Sequence, residues 1–386
     1  MPPPPGLGLK IDVGSVAAEL AKHPDITQGG TVHLGEMIVS ASGLISQSGE
    51  TIKFLSPDDI SVNDAGFLGR GSSGSVRKVR RSGTDTFMAL KEIKVTSQNH
   101  LQEIRRELAT LHVDKSDDPS QPAPVQCPYL VDFYGAYSHE GCVYIAMECM
   151  DGSLVDLAPM PDAALASVSR DVLLGLQYLH QQRRLIHRDM KPGNVLYNAT
   201  TGCAKISDFG VSSALDQHNE SAHTFVGTVT YMSPERLRGE SYSFEGDVWS
   251  WGISVAELAL GAHPYSHLTN PGDSTETKFW VLMQHLNGDG PVIALPSTFN
   301  PLLAAFIHAC LTKDAATRPT IAELLKHPFI TTFAGVEHVD ASAIRTSVTS
   351  WIAEKKQKAQ QAQREPKSGG INLESALTRL VDMKKR

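Results

Sequence analysis

Apolar residues recur at helical spacing in a few long stretches and at strand spacing in many short ones. From Leu101 to His112 the apolar positions Leu101, Ile104, Leu108 and Leu111 form one face of an amphipathic helix. Val168 to His180 and Phe244 to Leu260 are the clearest other helices, and the pattern from Leu157 onward is mostly helical. Between Asp58 and Met147 strands should dominate, apart from the helix ending near His112. Two further strand-like runs are Asn194 to Tyr197 and Ala204 to Ile206. Val113 to Cys127 carries Asp114, Asp117, Asp118, Pro119, Pro122 and Pro124, too polar and proline-rich for a core element, and is expected to be an inserted surface loop.

The ends are less patterned. Residues 1–57 show only short alternations, Val32 to Leu34 and Met37 to Val39, and are expected to form a partly disordered extension with one hairpin around Gly43. The domain should close near Phe329 and Ile330. The tail from Glu354 to Pro366 is charged and glutamine-rich, hence solvated, and Leu373 to Met383 predicts a short amphipathic helix.

Charge and cysteine content narrow the setting. A formal net charge of -7 gives no general attraction to nucleic acid or anionic membrane. No apolar run approaches the roughly 20 residues that span a bilayer, so membrane insertion is not expected. Met1 to Lys10, with four prolines and no basic residue before its apolar stretch, lacks the pattern of a secretory signal. Cys127, Cys142, Cys149, Cys203 and Cys310 show neither zinc spacing nor an even disulfide framework, which suits a reduced, cytoplasmic or also nuclear setting.

The densest chemistry lies between Leu185 and Asn194, Leu-Ile-His-Arg-Asp-Met-Lys-Pro-Gly-Asn, followed by Lys205 to Gly210, Lys-Ile-Ser-Asp-Phe-Gly. Asp189 suits acceptance of a hydrogen bond from a substrate hydroxyl. Lys191 can neutralise charge on a moving phosphoryl group, and Asn194 and Asp208 offer the hard oxygen ligands that Mg²⁺ takes. Either tripeptide, His-Arg-Asp or Asp-Phe-Gly, is by itself a common turn sequence. Both in this order, with Lys and Asn at these offsets and a strand-like run on each side, resemble the catalytic signature of the protein kinases.

That resemblance implies an α+β, bilobal protein kinase fold: a small, mostly antiparallel β lobe with one regulatory helix, over residues 58–152, and a larger, mostly α-helical lobe over 153–332. The chain length accommodates such a domain with flanking segments. It also implies an ATP site. Leu68, Gly69, Arg70, Gly71, Ser72, Ser73, Gly74, Ser75 and Val76 match a phosphate-covering loop, whose glycines let backbone amides approach phosphate oxygens. Met88-Ala89-Leu90-Lys91 matches the strand whose lysine binds the α and β phosphates. Its carboxylate partner is expected to be Glu107, with Glu103 one turn away as the competitor. Adenine would lie between Val76 and Ala89 above and Leu196 below, bonded to backbone near Met150, with Met147 at the back and Ser153 at the rim. Phe209, His187, Leu111 and Phe133 would stack as an apolar column. Glu235 with Arg318, and Asp247 below the catalytic loop, are expected supports.

More specific are Asp208 to Ser213 and Thr224 to Leu237, Thr-Phe-Val-Gly-Thr-Val-Thr-Tyr-Met-Ser-Pro-Glu-Arg-Leu, with Met147 to Ser153 and Cys127 to Phe133. These resemble the mitogen-activated protein kinase kinases, dual-specificity enzymes that phosphorylate Thr and Tyr in a MAP kinase activation loop. Gly30 to Gln47 is similar to amino-terminal segments of plant-type members, the whole chain resembles a plant- or protist-like member, and Lys191 with Thr228 fits Ser/Thr phosphorylation. The resemblance implies ATP and Mg²⁺, a MAP kinase as substrate and an upstream kinase as activator. Thr224 matches one activating phosphosite. Where a second is expected the chain has Glu220 and His218, with Ser221 the nearest hydroxyl, so Glu220 either supplies part of the activating charge or is an ordinary loop residue. Leu7-Gly-Leu9 lacks preceding basic residues, which argues against an ordinary docking site there. Leu373, Leu377, Leu380 and Val381 before Lys384, Lys385 and Arg386 form either a reversed docking helix or a frayed end. Residues 333–353, with Val336, Val339, Ile344, Val348, Trp351 and Ile352, match either an upstream-kinase docking extension or packing on the large lobe, and 354–386 form the tail. Two alternatives stay open: a Ser/Thr kinase with another substrate, and a kinase-fold scaffold.

Overall fold

A computed structural model describes residues 31–364 apart from 36, 47–50, 71–73, 97, 112–126, 209–212, 215–228, 241–242, 269, 271 and 335–341. The inserted loop, Phe209, Thr224, Ser221, Glu220, His218, Thr228 and the segment from Leu373 onward therefore lie outside the described residues.

Strands β5 (Ile60–Arg70), β6 (Ser75–Arg81), β7 (Phe87–Lys94), β8 (Phe133–His139) and β9 (Cys142–Glu148) form one antiparallel sheet in the order β5-β6-β7-β9-β8. Strand alternation sorts its side chains onto two faces. Ile93, Val143 and Ile145 pack with helix α1 (Gln98–Leu111), whereas Met88, Leu90 and Ala146 pack with Leu55 and Val79 on the opposite face. Ala89 and Lys91 share the face of Ile93, which turns them toward α1 and the cleft.

The amino-terminal segment is ordered over more than the one hairpin expected of it. Residues 32–54 form a four-stranded meander of β1 (Val32–Leu34), β2 (Met37–Ser40), β3 (Gly43–Ser46) and β4 (Thr51–Phe54). The expected hairpin at Gly43 is its central pair, with Ser40 opposite Gly43. Strands of three or four residues carry little periodicity, so the alternations at Val32 to Leu34 and Met37 to Val39 mark two of the four and leave the full meander unmarked. What orders them is burial of Val32, Leu34, Met37, Val39 and Leu44 against α1 and the larger sheet.

The larger lobe is built on α2 (Asp162–Gln181), α4 (Glu245–Leu260) and α6 (Pro301–Cys310), with short α3 (Pro234–Leu237), α5 (Thr275–Asn287), α7 (Ile321–Leu324) and α8 (Pro328–Phe333) around them. Two small sheets face the cleft: β10 (Gly152–Ser153), β12 (Val195–Tyr197) and β13 (Ala204–Ile206), and the pair β11 (Leu185–Ile186) with β14 (Ser213–Ala214). Asn194 closes a short 3-10 turn before β12 rather than beginning the strand.

Trp249 and Trp251 of α4 are fully buried, and α4 passes α6 so closely that a Cβ at Gly252 would stand 2.6 Å from Cys310 Cβ. Gly252→Ala is therefore expected to destabilise the protein by about 1–3 kcal/mol through overpacking, against the ~1 kcal/mol gain that helix propensity alone would give. The urea unfolding midpoint measures the sign.

The carboxy-terminal stretch carries more order than its composition implies. Helix α9 (Ser342–Arg364) runs through most of the charged, glutamine-rich stretch, whose described side chains are exposed or half-buried as expected. Val348 and Ile352 are buried in the large-lobe core, with Trp351 packed against it, and anchor the helix. Its Ala, Gln, Lys and Glu residues favour helix though they add little burial. Lys355 Nζ donates to the Leu157 and Ala158 carbonyls, both at 2.5 Å. Val336, Val339 and the Ile344 side chain fall outside the description.

Candidate active site

Lys91 and Glu107 meet in the cleft because strand and helix periodicity bring them there. Lys91 Nζ lies 2.9 Å and 2.8 Å from the two Glu107 carboxylate oxygens and 3.2 Å from Asp208 Oδ1. Glu107, on the α1 turn between Ile104 and Leu108, is 1% exposed, and the competitor Glu103 is not the partner of Lys91. Burial opposes the charge of Lys91, but the facing Glu107 and Asp208 carboxylates outweigh it and raise its pKa above the ordinary lysine value. Burial pushes the Glu107 carboxyl up against the attraction of Lys91. For Asp208, partial burial works upward and Lys91 outweighs it, so its pKa is lowered.

Across the cleft, the loop after β11 carries Asp189. Its Oδ2 accepts from Lys191 Nζ at 2.7 Å and from Asn194 Nδ2 at 2.8 Å. Its Oδ1 is buried and, among the described residues, has no hydrogen-bond partner. One carboxylate oxygen is thus fixed by two donors while the other is left to accept a proton or a hydroxyl hydrogen bond. Asn194 Nδ2 also donates to the Asp189 carbonyl at 2.7 Å, which leaves the amide oxygen for another ligand.

The loop is held from below. Asp247 of α4 accepts the backbone N–H groups of His187 at 2.8 Å and Arg188 at 2.9 Å, and its Oδ2 is 2.8 Å from His180 Nε2. Burial alone would raise this carboxyl, yet the His180 hydrogen bond and the backbone donors lower its pKa. Arg188 and Asp208 have φ of +69° and +61°, left-handed conformations that cost about 1–3 kcal/mol each and persist where surroundings enforce them. His187 is buried; its Nδ1 accepts from Asp189 N–H, which puts the Nε2 proton on the Ser207 carbonyl at 3.1 Å. Arg318 and Glu235 form a bidentate buried pair at 2.9 Å and 3.1 Å.

The nucleotide-side residues line the cleft between β6, β7, the β9–β10 connection and β12. Val76 lies opposite Lys91, Ala89 opposite Met147, and Ser153 opposite Leu196 in the strand registers. Met150 and Ala89 are buried, and Met147 packs against the small-lobe core. Leu68, Gly69 and Arg70 end β5, and Gly74, Ser75 and Val76 open β6; Gly71, Ser72 and Ser73 lie outside the described residues. Of the apolar column, His187 and Phe133 are buried; Phe209 and the Leu111 side chain are not described.

Sequence reasoning missed two contacts. His180 beneath Asp247 has no motif to mark it. Lys205, three residues before Asp208, pairs with Glu148 at 2.7 Å and with Asp132 at 3.8 Å, tying the strand that leads to Asp208 to the hinge.

Among the described residues no group of three or more His, Cys, Asp or Glu side chains is placed to hold a metal. Asp208 and Asn194 by themselves make a partial oxygen site, which suits a hard divalent cation completed by phosphate oxygens and water. No described helix is long and apolar enough to cross a membrane.

Comparison with known proteins agrees with this geometry. The family model of the protein kinase domain matches residues 62–330. Mitogen-activated protein kinase kinase 5 of Leishmania mexicana is 49% identical over 350 residues, which is 89% of this chain and 64% of the relative, so the chain spans just under two thirds of that protein. Mitogen-activated protein kinase kinase 1c of Physcomitrium patens is 37% identical over 84% of this chain and 94% of its own length. Mitogen-activated protein kinase kinase 2 of Arabidopsis thaliana is 39% identical over 83% and 88%.

Proposed function

The chain belongs to the protein kinases and, among them, to the mitogen-activated protein kinase kinases, and from that premise we propose that it phosphorylates threonine and tyrosine in the activation loop of a MAP kinase, under control of an upstream kinase. The observation that carries the reading is the asymmetry of Asp189, with Oδ2 bonded to Lys191 and Asn194 and Oδ1 buried and, among the described residues, unpartnered. A hydroxyl entering the cleft finds one acceptor, already oriented.

ATP supplies the phosphoryl group. Asp189 aligns the attacking hydroxyl and takes its proton, and Lys191 offsets charge on the group in transit. Lys91, kept cationic by Glu107 and Asp208, binds the α and β phosphates, while Asp208 and Asn194 would hold Mg²⁺. Val76, Ala89, Leu196 and Met147 would enclose the adenine, and the Met150 backbone would bond to it. Little covalent work falls to the protein, so positioning and electrostatics dominate. Phosphorylation of Thr224, with Ser221 or Glu220 contributing further negative charge, is proposed as the switch, in a reduced cytosolic or nuclear setting.

The test incubates the purified protein and its Asp189→Asn variant with Mg²⁺-ATP and a panel of kinase-dead MAP kinases, mapping new phosphates by mass spectrometry. Paired Thr and Tyr phosphates that require Asp189 are expected. Labelling of a generic substrate alone would point to a different protein substrate, and silence even for Thr224→Asp would point to a scaffold.

A further inference from the structure

The amino-terminal meander contributes nothing to the phosphoryl-transfer set, yet it shares an apolar cluster with the helix that carries Glu107. Leu34, Val39 and Leu44 are buried together with Leu101, Ile104 and Leu108 of α1. Two polar contacts dock the meander on the larger sheet: Ser138 Oγ donates to the Val39 carbonyl and Lys53 Nζ to the Phe133 carbonyl, each at 3.2 Å. The turn after β1 also lies against α1 itself. Gly35 there has φ of +70°, and a Cβ on it would stand 3.1 Å from the guanidinium carbon of Arg105, two residues before Glu107.

A helix of 14 residues is marginal on its own, so packing decides where it sits. The Lys91–Glu107 contacts at 2.8 and 2.9 Å are lost if α1 shifts outward by an ångström or two. The described contacts of α1 hold it from the β7 side by the sheet and from the β1 side by the meander.

We propose that the β1–β4 meander is a built-in clamp on α1, and that Leu34 and Gly35 are positioning residues that act on phosphoryl transfer through Glu107. The clamp rests on the reading above only as far as ATP-dependent phosphoryl transfer, not on the identity of the substrate.

The test uses the full chain with Leu34→Ala, which opens the buried contact, and Gly35→Val, which strains the exposed turn beside α1 by forcing a β-branched residue to φ near +70° without a core cavity. Each is measured alone and with Glu107→Gln, using casein as the phosphate acceptor. A fall in kcat of about ten- to a hundredfold is expected, since small misplacements far from the chemistry can cost this much. KM for ATP should change less than kcat. Glu107→Gln should add little on top of either variant, because clamp and carboxylate act through one ion pair. Hydrogen exchange at the amides of Ile104 to Leu108 should accelerate in both variants while the large lobe keeps its protection.

Unchanged kcat in a folded variant overturns the proposal, as do Leu34→Ala and Glu107→Gln effects that simply multiply, which would make the meander a stabiliser only. If Leu34→Ala does not fold, Gly35→Val decides. Labelling of casein without any MAP kinase would sink the substrate reading and leave the clamp testable. If the wild type labels neither, unaltered α1 exchange in the variants overturns the clamp.

Discussion

Asp189→Asn is expected to lower kcat by about 10²- to 10⁴-fold, the range for losing a positioned general base. The amide has the shape of the carboxylate, and its oxygen can still face Lys191 Nζ and Asn194 Nδ2, now 2.7 and 2.8 Å from Oδ2. Its NH₂ group then takes the place of the unpartnered Oδ1. That group donates where an acceptor is required, so the substrate hydroxyl loses both its alignment and its proton sink. The variant also trades two hydrogen bonds to a charged acceptor for neutral ones, a loss of about 1–3 kcal/mol of stability. Because Asp189 acts on the attacking oxygen, kcat and kcat/KM should fall together with KM for ATP little altered. Steady-state kinetics beside a thermal melt separate these quantities, and a kcat within threefold of wild type would remove Asp189 from the acceptor role.

Why this residue was visible from sequence, and others were not, follows from how each position is determined. Asp189, Lys191 and Asn194 lie within one loop, so their mutual geometry is set by backbone over six residues and spacing records it. Glu107 required one more inference. The apolar stripe of Leu101, Ile104 and Leu108 decides which side of the helix faces the sheet, and the match of Arg106-Glu107-Leu108 to the family pattern separates Glu107 from Glu103 one turn away. The meander over residues 32–54 left a fainter trace, two short alternations and a hairpin at Gly43. Each of its strands is three or four residues long, and its order comes from burial against residues between 49 and 113 positions later. Lys205 with Glu148, and His180 with Asp247, are likewise products of chain crossings separated by 57 and 67 positions. In α9, by contrast, composition marks a charged, glutamine-rich stretch as solvated but does not mark its helix. Its exposed residues are solvated, but Val348 and Ile352 upstream anchor it as a continuous helix.

Arg318→Ala should produce the largest loss of stability. The Arg318 side chain is fully buried, and its guanidinium satisfies more than the Glu235 carboxylate. It also donates to the carbonyls of Glu245 at 2.8 Å and Thr312 at 3.0 Å and lies over the Trp249 ring. Removing it strands a buried carboxylate and these acceptors, a cost of about 3–5 kcal/mol. For a domain of this size that is a fall in Tm of roughly 6–20 °C. Arg318→Lys should recover little, since an ammonium cannot reproduce the planar fork. The pH dependence identifies the cause. Burial alone would raise the Glu235 carboxyl, but the hydrogen bonds and charge of Arg318 hold it below its ordinary value of 4.5. A depressed folded pKa contributes stability that is present above the unfolded value and is lost as pH falls through the folded one. In Arg318→Ala the same carboxyl, buried without its cation, shifts upward and can protonate instead. The Tm gap between wild type and variant should therefore be widest near pH 7, begin to narrow above pH 4.5 as the variant's raised carboxyl protonates, and narrow further below about 4.5 as the wild type loses the contribution of its depressed one. Arg318→Met combined with Glu235→Leu removes both charges and should recover much of the loss at pH 7, because the penalty comes from the unpaired carboxylate. A gap that stays constant from pH 7 to pH 4 would instead assign the effect to lost packing on Trp249 and the unpaired carbonyls.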